Sequence, residues 1–136
     1  MRVFLSWSGR TSRMIAESLR DWLPNVLQTL EPWLSSEDIP LGTHWLREIS
    51  SRLEESSAGV ICLTRGNVGA KWVNYEAGAL ARSNVLVCPY LLDMEPTELA
   101  GPLSQFQCAK ADRDGTFALV RTLNHRNEDH PVSISV

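Results

Sequence analysis

The sequence holds few cysteines, no long apolar run and no excess of basic charge. Its 136 residues include only Cys62, Cys88 and Cys108, with no Cys-x-x-Cys pair. Three scattered cysteines, each in or beside an apolar run, do not make a disulfide framework; they read as reduced, buried small hydrophobes. Reduced thiols favour a cytoplasmic address. His44, His125 and His130 fall outside any ligand spacing, so no metal site is expected. No apolar run approaches the roughly 20 residues of a membrane helix. Val3-Phe4-Leu5 is too short for the apolar core of a signal peptide, and no membrane attachment is expected. Thirteen Lys and Arg against 16 Asp and Glu give a net charge of −3. That balance excludes a dedicated nucleic-acid binder, so no direct nucleic-acid contact is expected of this domain. Neither GxGxxG nor a P-loop occurs, so the usual dinucleotide and triphosphate fingerprints are absent. There is no internal repeat, low-complexity tract or interdomain linker.

What is present is an alternation. Hydrophobic residues make up 43% of the chain, normal for one globular domain, and a chain this long buries roughly two-thirds of its unfolded surface. Arg2 to Trp7 reads as a buried strand, and Ser8 to Ser12 as a polar turn that offers helix caps. Ile15, Leu19, Trp22 and Leu23 recur at helical spacing, and Pro24 is expected to end or kink that helix. Leu30 to Leu34 is a weaker strand, which Pro32 moves toward an edge or a bulge. Ser35 to Thr43 is a loop, followed by a helix carrying Trp45, Ile49 and Leu53 on one face. Ala58 to Thr64 is continuously apolar, as a central parallel strand covered on both faces should be. A loop, a helix from Lys71 to about Ala81 and a strand from Val85 to Leu91 come next. Pro96 to Pro102 reads as loop or short helix, Phe106 to Ala109 as a short fifth strand, and Thr116 to Leu123 as a last helix. The alternation predicts an α/β fold: a flavodoxin-like, five-stranded parallel sheet with helices on both faces. Ligands of such sheets bind beyond the carboxyl ends of the strands. The loops after Ser6-Trp7, Leu34 and Leu63 are therefore the places to look for a site.

The densest cluster of unusual residues is Lys71 to Leu80. On a helix, Trp72 and Glu76 stand at i and i+4, on one face and one turn apart. An indole beside a carboxylate suits a nucleoside: the ring stacks on a base, and the carboxylate accepts hydrogen bonds from ribose hydroxyls. A core tryptophan beside a solvated helix glutamate satisfies the same spacing.

Four blocks together carry a resemblance: Val3-Phe4-Leu5-Ser6, Asp38 to Trp45, Ile61-Cys62-Leu63-Thr64, and Trp72 to Leu80. In this order and spacing they resemble a Toll/interleukin-1 receptor (TIR) domain of the bacterial branch, over roughly residues 1 to 125. The resemblance implies the five-stranded sheet already read, with the loop from Ser35 to Thr43 as the BB loop. Many bacterial members cleave NAD⁺ between nicotinamide and ribose, using a glutamate on the third helix four residues after a tryptophan. Glu76 after Trp72 matches that pattern and is the implied catalytic residue. NAD⁺ is then a substrate, and no cofactor is implied. The family pocket also uses the end of the first strand and the loop after it, here Ser6, Trp7 and Ser8. Asp38 in the BB loop is a further implied substrate contact, or a turn cap. A BB-loop arginine found in some members has no match in this chain. The family often self-associates, its BB loop completing a neighbour's active site, so self-association through residues 35–43 is expected. The whole chain reads as a single TIR domain, and its size also suits one cut from a longer protein. A sensor domain or partner protein and a role in antiphage defence are further implications.

Remaining features weigh toward structure. Trp33 and Trp45 read as packing residues, His44 as a surface histidine, and Arg10 and Arg13 as solvated charges that are able to meet a diphosphate. Two competing functions stand beside NAD⁺ cleavage. One is a non-catalytic TIR interaction module, which often lacks the glutamate. The other is a nucleoside deoxyribosyltransferase-like enzyme, against which the Trp72–Glu76 pair and the BB-like loop argue.

Overall fold

The computed structural model describes residues 1–7, 9–34, 51–52, 56–66, 86–99 and 106–126. Five strands form its sheet: β1 (Arg2–Ser6), β2 (Glu31–Leu34), β3 (Ala58–Leu63), β4 (Leu86–Leu91) and β5 (Ala109–Lys110). All neighbouring pairs are parallel, in the order β2-β1-β3-β4-β5. This is the flavodoxin-like arrangement that the alternation predicts. The α-helices described from end to end are α1 (Arg10–Val26) and α2 (Arg113–Arg126).

β3 is buried along its whole length, because strands flank it on both sides and both of its faces are covered. One sheet face carries Val3, Leu5, Val60, Cys62, Cys88 and Tyr90, which form a single core with Leu19 and Leu23 of α1 and Leu119, Val120 and Leu123 of α2. The opposite face carries Phe4, Ile61, Leu63 and Leu91, also buried. The helices expected around 45–55 and 71–81 lie outside the described residues, apart from Ser51 and Arg52, which are helical. Cys62 and Cys88 are buried and Cys108 is half-buried, as their apolar surroundings predict. Desolvation pushes the Cys62 thiol up to about 12 and that of Cys88 up to about 11.

Several boundaries differ from the sequence expectation, each for a local reason. Pro32 does lie in an edge strand, β2, which among the described residues pairs only with β1. Pro24, by contrast, does not stop α1, which runs on to Val26 and closes with the Leu27 N–H on the Leu23 carbonyl at 2.9 Å. Gly9 takes the N-cap place of α1 with φ of 88°, a conformation open to glycine, and supplies no side-chain cap; the Ser12 hydroxyl donates to the Gly9 carbonyl at 3.3 Å. The buried stripe of α1 is Ser12, Ala16, Leu19 and Leu23, while Trp22 is 41% exposed. α2 begins at Arg113 rather than Thr116, because the Asp112 carboxylate accepts the Gly115 N–H at 2.7 Å and the Asp112 carbonyl accepts that of Thr116 at 2.8 Å. β5 is shifted to Ala109–Lys110, in register with Tyr90 and Leu91. Before it the chain bends, the Cys108 thiol donating to the Phe106 carbonyl at 3.4 Å. The short helix after β4 is one 3₁₀ turn, Pro96–Glu98.

Candidate functional site

The carboxyl ends of the five strands make one edge of the sheet, and the candidate site begins at β1. Ser6 ends that strand and is 3% exposed. It lies on the same sheet face as Phe4 and is in register with Ile61 of β3. Trp7 follows immediately. Strand alternation turns its indole to the other face, into the core beneath α1, where the residue is 5% exposed. The Arg13 guanidinium lies over the indole, 5.1 Å from the ring centroid. Arg13 Nε also donates to Glu17 Oε1 at 2.8 Å, one helical turn on. The carboxyl end of β1 thus carries a buried indole with a guanidinium above it.

Farther along the same edge, charged side chains hold the loops. The Arg65 backbone N–H, just beyond β3, donates to Asp93 Oδ1 at 3.0 Å. The Arg65 guanidinium forks onto Glu98, Nε to Oε1 at 3.1 Å and Nη2 to Oε2 at 3.2 Å. Lys110 at the end of β5 donates to Glu95 Oε1 at 2.8 Å. Asp93 sits at φ of 58°, a left-handed conformation that aspartate tolerates better than most residues. The Glu95 backbone N–H, and after it Arg65, holds the Glu98 carboxyl below its usual range. Glu95 in turn raises the Lys110 ammonium above its own. All of these groups are paired within the protein, which makes this side of the edge a fastening and not an open reactive cluster.

A groove of about 500 Å³ also opens between α1 and α2, with Met14, Ile15, Trp22, Tyr90 and Thr116 among its walls. No carboxylate, histidine or basic side chain among the described residues lines it, and the Tyr90 hydroxyl is engaged with Thr116 Oγ1 at 2.6 Å. Its apolar walls offer contact area without acid–base groups. Among the described residues no cluster of three His, Cys, Asp or Glu side chains converges as a metal ligand set. No described helix is long and apolar enough to cross a membrane.

With a 2-1-3-4-5 parallel sheet established, family membership is decided by one further finding: the family model of the TIR domain matches residues 3–123. The chain belongs to the TIR-domain family. No curated protein matches it. The match takes in β2 to β5, β1 from Val3 onward and most of α2, and it includes every residue that the sequence nominated for the site. Of those residues, the TIR fold places Ser6 and Trp7 together at the carboxyl end of β1. Ser8, Asp38, Trp72 and Glu76 lie outside the described residues, as does the 35–43 loop. Trp33 packs as expected, its ring 4.8 Å from that of Phe4 and its indole N–H donating to Ser56 Oγ at 2.9 Å.

Sequence reasoning missed two features of this TIR domain. One is the stacking of Arg13 on Trp7; Arg13 reads from sequence as a solvated charge able to meet a diphosphate, and no local pattern pairs it with Trp7. The other is the Arg65–Asp93–Glu98 fastening, whose members are 28 and 33 positions apart. No local pattern announces it.

Proposed function

We propose that this TIR domain is an NAD⁺ nucleosidase, a glycohydrolase or cyclase that breaks the nicotinamide–ribose bond with Glu76 as its single catalytic carboxylate. The observation that carries this reading is the Trp72-x-x-x-Glu76 spacing inside the span matched by the TIR model. The chemistry explains why one carboxylate suffices. Most glycosidases need a second to protonate an alkoxide leaving group. In NAD⁺ the departing nitrogen already belongs to a cationic pyridinium, so nicotinamide leaves neutral and takes no proton. The ribosyl group left behind is oxocarbenium-like, and an ionised Glu76 stabilises that charge while accepting hydrogen bonds from the ribose hydroxyls. Water yields ADP-ribose; an internal nucleophile yields a cyclic product.

In this reading Ser6, Trp7 and Ser8 border the nucleotide, with Trp72 and Asp38 as further contacts. Assembly of TIR domains through the 35–43 loop completes the site, in the cytoplasm of a bacterial cell defending itself against phage, under the control of a sensor domain or partner. The test is incubation of purified protein with NAD⁺ and analysis of the products, wild type beside Glu76→Gln. We expect the variant to lose roughly a hundredfold or more in turnover. The activity of the wild type should rise more steeply than linearly with protein concentration. An equally active Gln variant would reject the role of Glu76. A wild type inactive at high concentration would favour the non-catalytic interaction module.

A further inference from the structure

We infer that Arg13 is a diphosphate-binding residue of the site, a reading that rests on the proposed NAD⁺ chemistry and names how the middle of that substrate is held. The observations are geometric. The Trp7 indole is anchored in the core, 5% exposed, and so is a rigid platform. The Arg13 guanidinium lies 5.1 Å above its centroid. Glu17 Oε1 accepts a hydrogen bond from Arg13 Nε at 2.8 Å, which fixes the rotation of the plane. A guanidinium carries five N–H donors, and this arrangement uses one. Among the described residues no acceptor but Glu17 reaches Arg13, and its side chain stays 52% exposed.

Two constraints from the protein thus orient the fork, and no described residue accepts from its terminal nitrogens. This costs little on binding, because the entropy of the side chain is already spent. The place is also right: Trp7 is the first residue beyond the carboxyl end of β1, on the edge where parallel sheets receive ligands. The local charge is right as well. Arg10 stands one turn earlier on the same helix, exposed, and the first turn of α1 carries no acidic residue. Two guanidiniums against one carboxylate leave a positive face. A planar fork of donors matches two non-bridging oxygens of a phosphate or diphosphate, a geometry that lysine does not offer.

The test titrates inorganic pyrophosphate into wild type, Arg13→Gln and Arg13→Lys by calorimetry, and measures NAD⁺ cleavage by the same three proteins. We expect Arg13→Gln to weaken pyrophosphate binding about tenfold to a hundredfold and to raise KM for NAD⁺ by a similar factor, with kcat little changed. Arg13→Lys keeps the charge and loses the fork, so it should fall between the two, and it serves as the measured variant if Arg13→Gln fails to fold. Pyrophosphate affinity and KM unchanged in the variants would overturn the inference, and so would a wild type that binds no pyrophosphate. Arg13-dependent pyrophosphate binding in a wild type that leaves NAD⁺ intact would uphold the anion site and reject the nucleosidase reading alone.

Discussion

The two ends of the sheet are closed by different means. At the amino edge the bonds are main chain to main chain. The Met1 ammonium donates to the Thr29 carbonyl at 2.9 Å, the Glu31 N–H to the Met1 carbonyl at 2.8 Å, and the Ser57 N–H to the Arg2 carbonyl at 2.9 Å. Leu23, Leu27 and Leu30, all buried, pack just behind them. At the carboxyl edge the ladder continues for one step, Leu92 onto Leu63 and Ala111 onto Leu91, and beyond that step charged side chains hold the loops. Backbone bonds and apolar packing tolerate little change and need no water. Exposed ion pairs contribute little stability, yet they fix loop geometry while leaving the surroundings wet. The amino edge thus bears on stability, and the carboxyl edge bears on how its loops are held.

The largest expected effect lies at the amino end. Leu23 is fully buried in the last turns of α1, against the sheet. Leu23→Ala should cost about 2–5 kcal/mol in urea unfolding, transfer and cavity terms together. A cost near zero would mean that this end is not where stability is concentrated.

One contact at the other end sharpens the contrast, because there the carboxyl edge does depend on close backbone packing. A Cβ on Gly115 would meet the backbone of Lys110, its carbonyl oxygen 2.1 Å away. Nothing flexible is available to yield, so α2 would have to move off β5. Gly115→Ala should destabilise by roughly 1–3 kcal/mol and loosen the Lys110 ladder. Hydrogen exchange at Ala111, whose N–H bonds to the Leu91 carbonyl, would report that loosening directly.

The same contrast explains what the sequence disclosed. β3 was legible because burial on both faces leaves a continuous apolar run, and β2 as an edge because proline is tolerated there. The stripe of α1 was legible only in part: Ser12 and Ala16 are buried because small residues suit a close approach to the sheet, which hydrophobicity alone does not mark. The start of α2 was missed because it rests on one aspartate's hydrogen bond, and the fifth strand was read a few residues early because two residues carry no periodicity. At the candidate site, Ser6 and Trp7 follow from the end of β1. Arg13 over Trp7 does not, since a helix charge and a strand-end indole meet only through the turn between them.

The smallest expected effect tests whether the carboxyl fastening is electrostatic. Hydrogen bonds from the Glu95 N–H and then from Arg65 hold the Glu98 carboxyl below its usual range. A group whose folded pKa is depressed contributes stability above its unfolded value, near 4.3, and loses it as pH falls through the folded one. Wild type should therefore melt slightly above Glu98→Gln at neutral pH, and the gap should close as the solution is acidified through and below that value. The gap should also shrink in high salt, because both partners are exposed, Arg65 at 64% and Glu98 at 37%. A gap that persists in acid would show that Glu98 acts through packing, and the two edges would then differ less than their hydrogen bonds imply.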